Sequence, residues 1–156
     1  MDNEIKKILV PMDGSIYSKR AAAKAISFGA KFNSKITFVT AVSSQEIPLP
    51  GQLLGILKND KNLEKTVHGL ICTIRMEIIK MLKDQVSECK KNGIKGDYEV
   101  LDGHPVSAIL NFSKTYDPDL IVIGSHGLTG LSKIKALGSV SRNVSELAKC
   151  PVMIVR

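Results

Sequence analysis

Two short stretches of this sequence carry residue types suited to holding an anion and a hydrogen-bonding ligand. In the stretch Asp119 to Arg142, Gly124, Gly127 and Gly130 recur at even spacing, and Gly138-Ser139 and Ser141 follow. Glycine lets a backbone approach a ligand closely and adopt positive φ. Freed N–H groups can then point at an anion, and a helix starting at Ser139 would add its positive end. The hydroxyls of Ser139 and Ser141 are further donors. The same glycine spacing also fits an ordinary turn joining a strand to a helix. The second stretch is Pro11-Met12-Asp13-Gly14-Ser15. Asp13-Gly14 is turn chemistry and Ser15 suits a helix cap. The Asp13 carboxylate either accepts hydrogen bonds from a ligand or simply caps the turn.

Other chemistry is missing. There is no G-x-x-x-x-G-K-[ST] stretch, so the chain is not a P-loop NTPase. Asp13 has no second acid beside it, as a phospho-acceptor aspartate would need. Cys72, Cys89 and Cys150 are far apart, with no metal-ligand spacing. They read as small buried or half-buried thiols, which suits a reducing compartment. His126 lies inside the glycine loop, where it would contact phosphate or be a plain surface histidine. Lys133 and Lys135 would neutralise phosphate or be solvated charges, and Thr129 and Ser132 are loop hydroxyls open to modification. Efficient phosphoryl transfer needs metal, base and charge stabilisers together. The sequence spells out a cradle without that full set.

The elements that must position these residues follow from periodicity. Ile5 to Pro11 reads as a strand with Ile8, Leu9 and Val10 at its heart. A helix follows from about Tyr17 to Phe32, with Ala21, Ala25, Phe28 and Phe32 on one face. Lys35 to Val42 is a β-branched second strand. A proline-rich loop with room for a short helical turn leads to a long helix, Lys61 to Lys91. Its apolar stripe is Val67, Leu70, Ile71, Ile74, Ile78, Met81 and Leu82. Lys95 to Leu101 is a polar strand suited to a sheet edge. Pro105 opens a helix that ends near Tyr116, before Pro118. Leu120 to Ile123 is a strand buried on both faces. Val140, Val144 and Leu147 mark the last helix, and Val152 to Val155 a final strand.

Strict strand–helix alternation predicts an α/β fold, an open doubly wound five-stranded parallel sheet with helices on both faces, Rossmann-like. In such sheets ligands bind beyond the carboxyl ends of the strands, where strand order reverses. The turns Pro11 to Ser15 and Gly124 to Gly130 would then lie side by side. Residues 1–156 form one domain by length. No apolar run suffices to span a membrane, and the amino end lacks a signal-peptide core, so a cytoplasmic protein is expected. The net charge is +7, yet the lysines are scattered and aromatic residues make up only 4%. That argues against nucleic acid as a partner, because no platform for stacking bases is evident.

The stretches I-L-V-P-M-D-G-S-I-Y-S (Ile8 to Ser18), I-V-I-G-S-H-G-L-T-G-L, L-G-S-V-S-R-N-V and C-P-V-M-I-V-R resemble the universal stress protein family in its nucleotide-binding branch. The resemblance covers nearly the whole chain. It implies an adenine nucleotide alpha hydrolase-like sheet, and a homodimer to which Val152 to Val155 contribute. It implies ATP or another adenine nucleotide as ligand, accompanied by Mg²⁺. Carried over by position, Pro11, Met12 and Asp13 would border adenosine, and Ala41 would line the adenine slot. Gly124 and Gly127 would lie against ribose and phosphates. Gly138, Ser139, Val140 and Ser141 would hold phosphates through N–H groups and hydroxyls. The branch is marked by Gly, two residues, Gly, nine residues, Gly, then Ser or Thr. Here ten residues, Leu128 to Leu137, separate Gly127 from Gly138. That departure leaves open a nucleotide-independent stress scaffold or chaperone-like protein, and the loop histidine leaves open a slow ATPase.

Overall fold

The short β-branched runs and the helical stripes alternate along the chain, and the folded elements follow them. The computed structural model describes residues 4–43, 61–128 and 136–156. Its elements are β1 (Lys7–Pro11), α1 (Ile16–Phe32), β2 (Lys35–Val42), α2 (Lys61–Lys91), β3 (Gly96–Asp102), α3 (Pro105–Tyr116), β4 (Leu120–Gly124), α4 (Ser139–Leu147) and β5 (Val152–Val155). The boundaries agree with the periodicity to within one or two residues, the ordinary fraying of element ends. The loop between Ser43 and Lys61, with its expected helical turn, lies outside the described residues.

All five strands are parallel, in the order β3-β2-β1-β4-β5. The polar β3 does take one edge and β5 the other. The chain builds outward from β1 through β2 to β3, then returns to place β4 on the other side of β1. The reversal of strand order therefore falls between β1 and β4. Their amino ends are tied by Asp119, whose Oδ2 accepts the N–H groups of Lys6 and Lys7 at 2.9 and 2.8 Å.

Alternation along the strands sends side chains to two cores. Ile8, Val10, Ile36, Phe38 and Val122 meet Ala21, Ala22 and Ala25 of α1 and Leu82 and Cys89 of α2. Leu9, Val39, Ile121 and Ile123 meet Ile109 of α3 and Val144 of α4 on the opposite face. The alanines let α1 lie close. Closest of all is the approach to Gly124, where an added Cβ would stand 2.6 Å from the carbonyl carbon of Tyr17 and 2.8 Å from the nitrogen of Ser18. Ser15 caps α1 by accepting the Ser18 N–H at 3.1 Å.

The stripe expected on α2 is only half used. Leu82 is buried, and Ile78 and Met81 pack against the core. Leu70 and Ile74 remain 59% and 49% exposed, and Ile71 is also exposed. Periodicity marks a helix face but does not say how far the body beneath it extends.

Two of the three thiols match the expectation of buried or half-buried cysteines and one does not. Cys89 is buried and Cys150 half-buried, but Cys72 is exposed on α2. Burial, reinforced by the neighbouring Glu88 carboxylate, pushes the Cys89 thiol up to about 11. Burial also raises Cys150. Since the thiolate is the reactive form, a disulfide reagent at pH 8 is expected to modify Cys72 first and Cys150 slowly. Cys89 should react only after denaturation. Labelling of the native protein followed by peptide mass analysis checks this, and early modification of Cys89 would contradict the packing around it.

Among the described residues no helix is long and apolar enough to cross a membrane.

Candidate functional site

The carboxyl ends of β1 and β4 carry the two stretches singled out by residue type, and the fold brings them into contact. β1 stops at Pro11, so Met12 and Asp13 lie just beyond the sheet. Met12 is fixed by its N–H donating to the Val39 carbonyl at 2.8 Å, and its carbonyl accepts from Thr40 Oγ1 at 2.9 Å. Gly14 has φ +83°, the left-handed conformation that turns the chain into α1. Asp13 Oδ1 then accepts the Ser15 N–H at 2.9 Å. Its Oδ2 reaches across the crevice and accepts the Leu128 N–H at 3.0 Å. Ser15 Oγ adds a second crossing bond, donating to the His126 carbonyl at 3.3 Å.

The glycines have distinct reasons to be glycine. At Gly127 a Cβ would lie 2.8 Å from Asp13 Oδ2, so a side chain there would displace the carboxylate. At Gly124 the room is taken by the α1 backbone, so this residue meets the crevice with its main chain alone. Gly138 is the N-cap of α4. Its N–H, expected to hold phosphate, instead donates to the Ser125 carbonyl at 2.9 Å. The Ser141 hydroxyl likewise turns inward and donates to the Gly124 carbonyl at 2.6 Å. The donors left at this end are the N–H groups of Ser139, Val140 and Ser141, which sit in the first turn with no intrahelical acceptor.

These parts enclose a cavity of about 440 Å³. Pro11, Met12, Asp13, Ala41, Gly124, Gly127, Ser139, Val140 and Ser141 all line it. Gly138 does not, being withdrawn behind the turn. Sequence reasoning missed Thr40, which holds Met12, and Pro105 and Ile109 of α3, which supply an apolar wall. Pro105 stands just after a strand's carboxyl end, and that position alone would have flagged it. His126 also borders the cavity and is half-buried, not the plain surface histidine of the simpler reading. Lys133, Lys135, Thr129, Ser132 and Gly130 lie outside the described residues. The described ends of the long glycine loop are nevertheless in place: Leu128 on Asp13, and Gly138 on Ser125.

The match of a family model to residues 4–156, the universal stress protein family, decides the affiliation. The chain belongs to the universal stress protein family. It is 33% identical over 156 residues to universal stress protein MJ0531 of Methanocaldococcus jannaschii, covering 99% of this chain and 84% of that one. Universal stress protein UspA from Lactobacillus plantarum superposes with a TM-score of 0.80 at 21% identity, covering 97% of this chain and 98% of the other. A universal stress protein solved in complex with cAMP superposes with a TM-score of 0.66 at 25% identity, covering 97% of each chain. The open parallel sheet is thus that of universal stress proteins, and individual solved proteins with this architecture hold cAMP, dAMP or AMP.

Proposed function

We propose that this universal stress protein binds an adenine nucleotide, ATP as the working ligand, between the Asp13 turn and the amino end of α4. The observation that carries the reading is the contact of Asp13 Oδ2 with the Leu128 N–H across the crevice. It joins a carboxylate able to accept from a ribose or base to a turn whose glycine leaves space beside it. The apolar wall from Met12, Ala41, Pro105 and Ile109 suits a flat base, as small-molecule sites are mostly apolar with a few placed polar groups. The first-turn N–H groups of α4 suit a phosphate. The complex of a relative with cAMP supports the ligand class.

The described residues contain no group of three His, Cys, Asp or Glu that could hold a metal ion. Mg²⁺ accompanying a triphosphate would therefore be held by the phosphates and water, as this ion commonly is. Asp13 and the histidine beside it are the titratable groups among the described cavity residues, and both are engaged in hydrogen bonds. Binding followed by a changed partner surface, with hydrolysis slow or dependent on a partner, is the activity this site supports. Calorimetry with ATP and Mg²⁺, ADP, AMP and cAMP tests the proposal. Saturable binding of at least one is expected, and no heat at millimolar nucleotide would overturn it.

Dimerisation through β5 is part of the same reading. β5 is a four-residue apolar edge strand whose residues are only half-buried, and unpaired edges invite a second strand. Sedimentation is expected to give a dimer. Ile154→Lys is expected to shift it to monomer, while a wild-type monomer at micromolar concentration would remove the proposal.

A further inference from the structure

His126 holds together segments that the sequence separates. Its Nε2 lies 2.7 Å from the Ala136 carbonyl, ten residues further along the chain. Its Nδ1 lies 3.0 Å from Ser125 Oγ. A carbonyl can only accept, so the proton of the neutral ring sits on Nε2, and Nδ1 accepts from the Ser125 hydroxyl. The ring also stands 5.1 Å from that of Tyr17 on α1, centroid to centroid. Ala136 precedes by two residues the Gly138 N-cap of α4. The imidazole therefore spans from the turn after β4 to the entry of the helix whose first-turn residues Ser139, Val140 and Ser141 line the cavity.

We infer that His126 is a positioning residue: its Nε2–H bond to Ala136 acts with the Gly138–Ser125 and Ser141–Gly124 bonds to hold the first turn of α4 against the β4 turn in the arrangement that takes a phosphate. The inference rests on the nucleotide reading for its ligand but not for its geometry. Phosphate-bearing ligands depend on α4, whereas a nucleoside depends on Asp13 and the apolar wall. Loss of the bond should thus weaken the phosphate contribution selectively. A histidine that only filled space would affect both ligand classes alike.

The test compares His126→Asn with His126→Gln. The Gln amide nitrogen can stand where Nε2 stood and donate to Ala136, whereas the shorter Asn reaches only toward Ser125. Calorimetry with AMP and with adenosine is expected to show AMP binding about tenfold weaker in the Asn variant, the loss of roughly one hydrogen bond. Adenosine binding should fall clearly less than AMP binding, and the Gln variant should recover most of the AMP affinity. Equal weakening of AMP and adenosine, or an Asn variant that matches wild type, would overturn the inference.

Two readouts need no ligand. Long-range proton–nitrogen correlation in the free wild-type protein is expected to show the Nε2–H tautomer of His126. Hydrogen exchange of the peptide covering residues 136–141 is expected to accelerate in the Asn variant and not in the Gln variant. An Nδ1–H tautomer, or exchange unchanged by Asn, overturns the positioning role. If wild type binds no nucleotide, the functional proposal fails, and these two measurements still decide the role of His126.

Discussion

Gly124→Ala is expected to lower the thermal midpoint by about 6–12 °C, because Gly124 is the described glycine at which an added methyl meets the tightest contact. The added Cβ would sit 2.6 Å from the Tyr17 carbonyl carbon and 2.8 Å from the Ser18 nitrogen. Both are backbone atoms in the first turn of α1, so no side chain can swing aside. Relief requires α1 to move off the sheet, and α1 carries Ala21, Ala22 and Ala25 into the core. Overpacking of this kind costs roughly 1–3 kcal/mol, and rigid neighbours place this case at about 3 kcal/mol. In a chain of this size each kcal/mol shifts the midpoint by about 2–4 °C. Calorimetric unfolding checks the figure, and a midpoint within a degree of wild type would mean that α1 does not press on β4 as described.

Asp13→Ala is expected to weaken adenosine and adenine nucleotides by about ten- to a hundredfold, the value of a charge-assisted hydrogen bond of roughly 1.5–3 kcal/mol. Two losses combine. The ligand loses an anionic acceptor, and the Leu128 N–H loses the carboxylate that draws the glycine turn across the crevice. Asp13→Asn keeps one acceptor oxygen but not the charge, and should fall between. Inorganic phosphate should respond with the opposite sign, because removing a negative charge from the crevice lowers repulsion toward an anion. Titration calorimetry of the three proteins separates these effects. Undiminished adenosine binding in Asp13→Ala would place the ligand elsewhere.

Much of the architecture was legible because each signal was local and physical. Ile8 to Val10 and Leu120 to Ile123 are apolar on both faces, and they became the adjacent central strands. The alternation of elements implied parallel strands, and the doubly wound order put Asp13 beside Gly127 without any contact being visible in the sequence. What stayed hidden depended on tertiary partners. The stripe from Val67 to Leu82 looked continuous, but the sheet edge beneath α2 supports only its carboxyl half. Gly124 and Gly127 looked equivalent, yet one makes room for a helix backbone and the other for a carboxylate. The Ser141 hydroxyl looked like a ligand donor, but it faces the Gly124 carbonyl, a partner 17 residues back. His126 could not be separated from a solvated loop residue until Ala136 was seen above it.

The last strand reaches the crevice through a single peptide unit. The N–H of Ser125 donates to the carbonyl of Val155 at 2.7 Å, so the outermost strand and the turn that carries His126 and Gly127 share a bond. A second subunit aligned along that border would therefore press on the ligand turn from behind. Thermodynamic reciprocity then ties the two equilibria: whatever factor self-association contributes to ligand affinity, the ligand returns to self-association. If pairing strengthens the ligand's hold, dilution would loosen it, and saturation with ligand would keep paired chains together at concentrations where bare chains part; if pairing weakens it, both shifts reverse.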